Sequence, residues 1–395
     1  MNNALTPNQA VRISIESYRI KNNNKLTRTA LIRGLAGLVK FPTDTKTAPH
    51  MVFDGISGGI FVQKESGFGF VGYRDEKGFS DDLVFSLRGT DSFQDALTDA
   101  YFKTEQSSTG KSIHGGFAKC FNTIVNDIDL FLKNREPKGA IHCIGHSLGG
   151  ALATLVADHL SNKYKGKEIY LYTLGSPRVG LKPFSTTFTD NLKPENIFRL
   201  NHTADPVTVV PPWPFIHVPA NSAGIGMDRF GTGFQFRAHK SSEYLISVAK
   251  NNWDTLRANA DKVASSDQIE RWLESKQPAT FTGKSMIMLS EAIYYVLKKA
   301  RLHHLLNGAI TAGSTAGYTL LDLLSIALSK GIDLGKNLGR WAIRLVVKIM
   351  EMLGKTVRKA KEHFSKDFIG SLLREMHRRV NIEVIKSLDS LKNSH

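Results

Sequence analysis

Apolar and polar positions follow two rhythms along the chain. Thr6-Pro7-Asn8-Gln9 places a hydroxyl N-cap, a proline at the first helical position and a glutamine three residues after the cap. That pattern predicts a helix running to about Lys21, where Asn22-Asn23-Asn24 stops it. Short β-rich runs come next at 59–63, 69–73 and 83–87, punctuated by glycines and by Asp81-Asp82. Beyond them helix is predicted over 117–134, strand over 140–144, helix over 150–162, and strands over 169–174 and 197–200. Such alternation predicts an α/β fold, with a mainly parallel central sheet covered by helices on both faces.

The texture changes near residue 250. Pro278 and Gly283 bracket a linker, and from Lys284 onward the pattern is helical. The expected organisation is a domain over 1–250, a helix and linker over 251–283, and a helical C-terminal region over 284–395. In that region Trp341, Leu345, Ile349 and Met352 recur at helical spacing, widened by Ala342, Val346 and Leu353. Arg340, Arg344, Lys348 and Lys355 line an adjoining face, and 290–306 repeats the theme with Lys298, Lys299 and Arg301.

Composition narrows the class. The 395 residues are 41% hydrophobic and 22% charged, which excludes collagen-like, low-complexity and wholly disordered chains. Cys120 and Cys143 cannot form a disulfide framework, so packing must supply the stability. The net charge of +16, concentrated in the C-terminal region, implies attraction to a polyanion. No nucleic-acid reader motif accompanies it, so nucleic acid is not an expected partner. A cationic amphipathic helix carrying Trp has the pattern of an interfacial membrane helix, unless its stripe packs within the protein. The window 305–328 is long enough to cross a bilayer, but its glycines, threonines and serines lower its hydrophobicity. The first twenty residues hold no apolar signal core, which predicts export without a cleaved leader, or a cytoplasmic location, with peripheral membrane association.

The strongest chemical signal is Gly145-His146-Ser147-Leu148-Gly149, continued by Gly150. It closes a predicted strand and opens a predicted helix, the setting of a nucleophile elbow, in which a serine is held on a sharp turn with its hydroxyl exposed. A phosphate loop would want lysine after the last glycine, where Ala151 stands. A serine hydroxyl needs a base to take its proton and a carboxylate to orient that base, in the order Ser, Asp or Glu, His in this fold. Asp205 lies just past the strand at 197–200; Asp190 and Asp228 are rivals that come after no strand. His217 and His239 compete for the base, and spacing does not decide between them. His202 is too close in sequence to Asp205, and His146 sits inside the elbow. Leu148, directly after the serine, should offer its N–H to an oxyanion. The scattered histidines show no metal spacing, so neither metal nor cofactor is expected.

Five segments together resemble the class 3 lipases, a branch of the α/β-hydrolases that includes bacterial phospholipase A1 enzymes and secreted lipase effectors. They are Phe85-Ser86-Leu87-Arg88-Gly89-Thr90, His114-Gly115-Gly116-Phe117, the elbow, Gly175-Ser176-Pro177-Arg178-Val179-Gly180, and the stretch from His202 to Pro211-Pro212. The resemblance covers roughly 83–245. It implies that the base falls in a His-x-x-x-x-Tyr stretch, which His239 and Tyr244 resemble, leaving His217 as the alternative. The implied triad is Ser147, Asp205 and His239, with Thr90 as second oxyanion donor beside Leu148. A lid helix is implied after Thr90, with Phe93 and Leu97 on its apolar face.

The expected activity is hydrolysis of lipid acyl esters, with the sn-1 ester of phospholipids favoured by the basic helices. The alternatives are a triacylglycerol lipase, a general carboxylesterase, and a membrane-disrupting protein acting through its basic helical tail. The expected partners are a phospholipid membrane or lipid aggregate and, for an exported effector or toxin, an inhibitor, immunity or accessory protein.

Overall fold

The computed structural model describes the chain apart from residues 1–2, 21–24, 43–50, 59–62, 90–103, 134–135, 223, 228, 259–261, 303–319, 334–335, 357–363 and 393–395. Among the described residues the main sheet has eight strands: β1 (Val39–Lys40), β2 (Val52–Gly58), β3 (Gln63–Arg74), β4 (Leu83–Leu87), β7 (Ile141–His146), β8 (Ile169–Leu174), β9 (Ile197–Asn201) and β10 (Ile225–Gly226). Their order is β1-β3-β4-β7-β8-β9-β10, with β2 also paired to β3. From β4 to β10 every pairing is parallel, and β1, β2 and β3 add an antiparallel flank. This is the α/β-hydrolase arrangement, a mainly parallel sheet with a helical C-terminal region after it. A separate hairpin pairs β5 (Thr104–Gln106) with β6 (Ser112–His114).

The run expected at 59–63 lies largely outside the described residues. The strand expected at 69–73 is longer, running from Gln63 to Arg74, and the other predicted strands and helices of the sheet region form within a few residues of their expected limits. The strands β4, β7, β8 and β9 are buried at every position. Continuous apolar runs rather than alternating ones are what a sheet covered on both faces demands.

Alternation along β7 shows the two layers. Gly145 abuts the start of α4 (Leu148–Lys163), which packs on β4, β7 and β8 beside α3 (Gly115–Leu132). His142, on the opposite side of the strand, meets Tyr172, whose hydroxyl receives the N–H of Leu5 at 2.8 Å. On that side α1 (Pro7–Glu16) packs against β7 and α6 (Ser241–Val248). The capping box forms as the sequence predicts, with Gln9 N–H on the Thr6 hydroxyl and Thr6 N–H on the Gln9 side chain. The helix stops short of Lys21. The Ser17 hydroxyl bonds back to the Ser14 carbonyl at 2.7 Å, and the chain tightens into a 3-10 turn at Ser17–Arg19. Helix α2 (Lys25–Gly34) leads into β1, and the short α7 (Trp253–Ala258) comes after α6.

The C-terminal helices form a packed layer. It comprises α8 (Ser266–Glu274), α9 (Gly283–Lys299), α10 (Leu320–Asp333), α11 (Lys336–Met352) and α12 (Lys366–Lys392). The stripe of Trp341, Ala342, Leu345, Val346, Ile349 and Met352 is buried, because α11 packs against α8, α9, α10 and α12. The expectation of an interfacial stripe is thereby corrected: its apolar face is covered by the protein itself. Lys348, expected on the charged face, is 1% exposed and its ammonium donates to the carbonyls of Ser275 and Gln277 and to Glu351. Arg344 and Lys355 remain exposed, as do Lys298, Lys299 and Arg301. Most of the window 305–328 lies outside the described residues. Among those described, no helix is long and apolar enough to cross a membrane.

One hydrophobic core runs from Leu5 to Leu388 and joins both parts of the chain. Helix α12 packs on the 3-10 turns Pro206–Val209 and Phe236–His239, and α9 touches the first of them. Arg178 donates to the Ser290 hydroxyl at 2.9 Å, tying the segment after β8 to α9.

Candidate active site

The strands β4, β7, β8 and β9 all end on one edge of the sheet, and the loops leaving those ends build the site. Open parallel sheets bind ligands at this edge because the loops converge there. After β7 the chain turns sharply at Ser147, which has φ 59° and ψ −134°. Such a backbone costs of the order of 1–3 kcal/mol for a residue with a side chain. It is tolerated because β7 and α4 are anchored on either side of it. Gly145 is required here: a Cβ at that position would lie 2.0 Å from the Gly149 carbonyl oxygen.

The serine hydroxyl lies 2.9 Å from His239 Nε2, and His239 Nδ1 lies 2.8 Å from Asp205 Oδ2. All three are buried, at 2%, 0% and 0% exposure. His239 sits at the end of the turn Phe236–His239. Asp205 comes after β9 and caps the turn Pro206–Val209, accepting the Val207 N–H on Oδ1 at 2.9 Å. Burial alone would push its carboxyl up. The His239 charge, with hydrogen bonds from His239, Tyr244 and Val207, outweighs that and holds it below the ordinary carboxylate range. His239 Nδ1 thus faces the Asp205 carboxylate, while Nε2 faces the serine hydroxyl whose proton it is placed to accept.

The other sequence candidates lie elsewhere. His217 Nε2 bonds to the Thr208 carbonyl at 2.7 Å, and burial and the nearby Arg199 and Arg178 push its pKa well below the ordinary value. His202 bonds to the Ala238 carbonyl and the Ser247 hydroxyl. Asp190 is exposed near the end of α5 (Lys182–Leu192), and Asp228 lies outside the described residues. Leu148 is the first residue of α4, so its N–H has no acceptor within the helix. Thr90, Phe93 and Leu97 fall outside the described residues. Among those described, no group of His, Cys, Asp and Glu is arranged to hold a metal.

Three residues in the site were not singled out by sequence for the work they do. Tyr244 donates its hydroxyl to Asp205 Oδ2 at 2.9 Å. Gly175, with φ 55°, stands where a Cβ would lie 2.6 Å from Asp205 Oδ2 and 3.1 Å from His239 Nδ1. Tyr18 reaches in from the turn after α1 and meets His146 Nδ1 at 2.6 Å. Tyr244 left a signal in its spacing from His239 and Gly175 in its place in the Gly175–Gly180 segment, whereas Tyr18 left none.

A parallel sheet with a serine elbow and this Ser–His–Asp contact at its strand ends defines an α/β-hydrolase. Residues 84–215, about a third of the chain, match the family model Lipase (class 3). The chain is 34% identical over 136 residues to "Secreted mono- and diacylglycerol lipase 1" of Fusarium solani, covering 33% of this chain and 40% of that one. It is 33% identical over 135 residues to "Secreted mono- and diacylglycerol lipase A" of Penicillium cyclopium, covering 33% and 43%. The matched stretch thus spans less than half the length of these relatives. Among solved structures, Lip2 lipase from Yarrowia lipolytica matches at 22% identity and a TM-score of 0.40, over 56% of this chain and 78% of that one. A lipase from Rhizopus microsporus var. chinensis matches at 24% and 0.38, over 51% and 66%.

These relatives correct one expectation. By name they are secreted lipases, which runs against a leaderless export route or a cytoplasmic location inferred from the first residues. That inference used only the lack of an apolar run, a stretch that instead forms the capped, amphipathic α1.

Proposed function

We propose that this protein is a serine hydrolase of lipid carboxylic esters, acting on acylglycerols. The observation that carries the reading is the unbroken contact from Ser147 Oγ through the His239 ring to Asp205, mounted on a strained elbow. Ser147 attacks the ester carbonyl as His239 Nε2 takes its proton. The oxyanion is received by the Leu148 N–H and, by resemblance, by Thr90. His239 then protonates the leaving alcohol, and a water deprotonated by the same ring releases the fatty acid. Asp205, held ionised, stabilises the imidazolium at each step.

The acylglycerol choice is supported by the mono- and diacylglycerol lipases to which the chain is similar. The phospholipid choice rests on the basic helices and on resemblance to exported bacterial phospholipases; the apolar stripe of α11 is occupied within the protein, which takes away part of that support. Membrane disruption by a basic tail loses its support for the same reason, and the proposed activity carries no effector or toxin role with it.

Fatty-acid release from emulsified diacylglycerol and triacylglycerol and from phospholipid vesicles, by wild type and Ser147→Ala, tests the reading. Release from acylglycerol that vanishes in the variant is expected. Release from phospholipid alone would replace the substrate class, and release that persists in Ser147→Ala would remove the nucleophile.

A further inference from the structure

His146 makes two hydrogen bonds whose direction is fixed by chemistry. Its Nε2 lies 2.7 Å from the carbonyl oxygen of His239, an atom that can only accept, so Nε2 carries the proton. The ring is 1% exposed, and burial together with the neighbouring His239 lowers its pKa to about 3, so it is neutral. A neutral ring protonated on Nε2 offers a lone pair at Nδ1, and the Tyr18 hydroxyl, 2.6 Å away, donates to it. The same phenol oxygen receives the N–H of Gly89 at 3.3 Å. A directed chain therefore runs from Gly89 N–H through Tyr18 and His146 to the backbone of His239.

Its two ends matter. Gly89 precedes Thr90, the second oxyanion donor of the proposed reaction, and lies against the nucleophile: a Cβ on Gly89 would lie 3.0 Å from the Tyr18 oxygen and 3.1 Å from Ser147 Cβ. The other end holds the main chain of the base, whose ring lies 4.7 Å from that of His146 at a tilt of 30°. When His239 takes the serine proton, a charged His146 beside it would oppose the new imidazolium. The hydrogen bond from Tyr18 favours the neutral His146 ring.

We infer that Tyr18 is a positioning residue for the proposed ester hydrolysis: its hydroxyl fixes the Gly89 backbone beside the nucleophile and the base against each other and keeps His146 in its neutral Nε2–H tautomer. The inference rests on the hydrolase reading and adds to it a part of the chain outside the matched family stretch. Displacing reacting groups by about an ångström can cost 10²-fold in rate, so the effect of removing one such tie is set at about tenfold or more.

The test uses the full-length chain and the variant Tyr18→Phe, which keeps the ring and removes the hydroxyl. The readout is the rate at which a fluorophosphonate phosphonylates Ser147, monitored by mass spectrometry from pH 5 to 9, with the melting temperature of each protein. This needs no natural substrate. The expected result is a labelling rate at least about tenfold lower in Tyr18→Phe, an acid limb moved to higher pH, and a melting temperature within a few degrees of wild type. Equal rates and superimposable pH profiles, with Ser147 labelled in both proteins, would overturn the inference and leave the hydrolase reading standing. A slower rate with an unmoved acid limb and a collapsed melting temperature would make Tyr18 merely structural. No labelling of Ser147 in wild type would overturn both.

Discussion

The Tyr244 hydroxyl and the His239 ring share one acceptor, Asp205 Oδ2, at 2.9 and 2.8 Å. The acid at the end of the relay is thus fixed from two sides, and the phenol also receives the N–H of His202 at 3.3 Å. Hydrogen bonds to a buried charge are worth about 1.5–3 kcal/mol. Tyr244→Phe should cost that much stability in a denaturant titration. It should also let the Asp205 pKa rise, lower kcat by about tenfold and move the acid limb of its pH profile upward. An unchanged profile would show that His239 and Val207 suffice to hold the carboxylate.

His239→Ala should lower ester hydrolysis by about 10⁴-fold or more, as removal of a triad base does. His217→Ala should leave kcat within a few-fold, since His217 bonds to the Thr208 carbonyl. The reverse ranking in a steady-state assay would transfer the role of base to His217.

Gly175→Ala places a methyl group on a backbone with φ 55° and directly against the acid and base. The left-handed backbone alone costs about 1–2 kcal/mol for a non-glycine residue. The contact adds to that by spreading Asp205 from His239. A melting curve should show the loss of stability, and kcat should fall well over tenfold while KM holds.

Acid should destabilise the fold above the range where carboxylates titrate. His114 and His146 are buried with pKa lowered to about 3, and His377 to about 4, burial being the main cause in each. Between those values and the unfolded value near 6.5 the unfolded chain binds more protons. Stability is therefore full above pH 6.5 and falls as pH drops through that window. At pH 5 each such histidine removes up to about 2 kcal/mol. Asp205, with its lowered pKa, adds a further loss only below its ordinary value near 3.9. Urea titrations at pH 7.5 and 5 measure the difference, and equal midpoints would contradict it.

Removing everything from Pro278 onward should not yield a free-standing hydrolase. The helices lost include those packed on the turns of Asp205 and His239, and one core spans the junction. The truncated chain should be insoluble, or inactive even on a soluble ester. A folded, active fragment would show that the C-terminal layer is dispensable for catalysis.

The elbow and Asp205 were legible because strained turns and strand ends demand particular residues at short spacings. The capping box of Thr6 and Gln9 was legible for the same reason, whereas the choice of His239 over His217 came only from the family resemblance. Tyr18 was not: 128 positions separate it from His146, and nothing in a tyrosine after a helix says which ring it will meet. Gly175 read as part of a motif, but its reason appears only once Asp205 and His239 arrive from elsewhere in the chain. The helical spacing of Trp341, Leu345 and Ile349 correctly gave a buried-type stripe. Whether a stripe is covered by lipid or by neighbouring helices is decided in three dimensions, and here α8, α9, α10 and α12 cover it. Lys348 shows the same ambiguity, since a cation on a helix face reads as solvated until three acceptors enclose it.

The seating of α12 on the turn Phe236–His239 has a consequence in time. On the ribosome the residues of that turn emerge well before the helix that covers them. At about 5–20 residues per second the intervening chain takes of the order of ten seconds to make. Through that interval the turn that carries the base lacks the helix that backs it. The site is thus completed by a helix made well after the stretch that carries the serine.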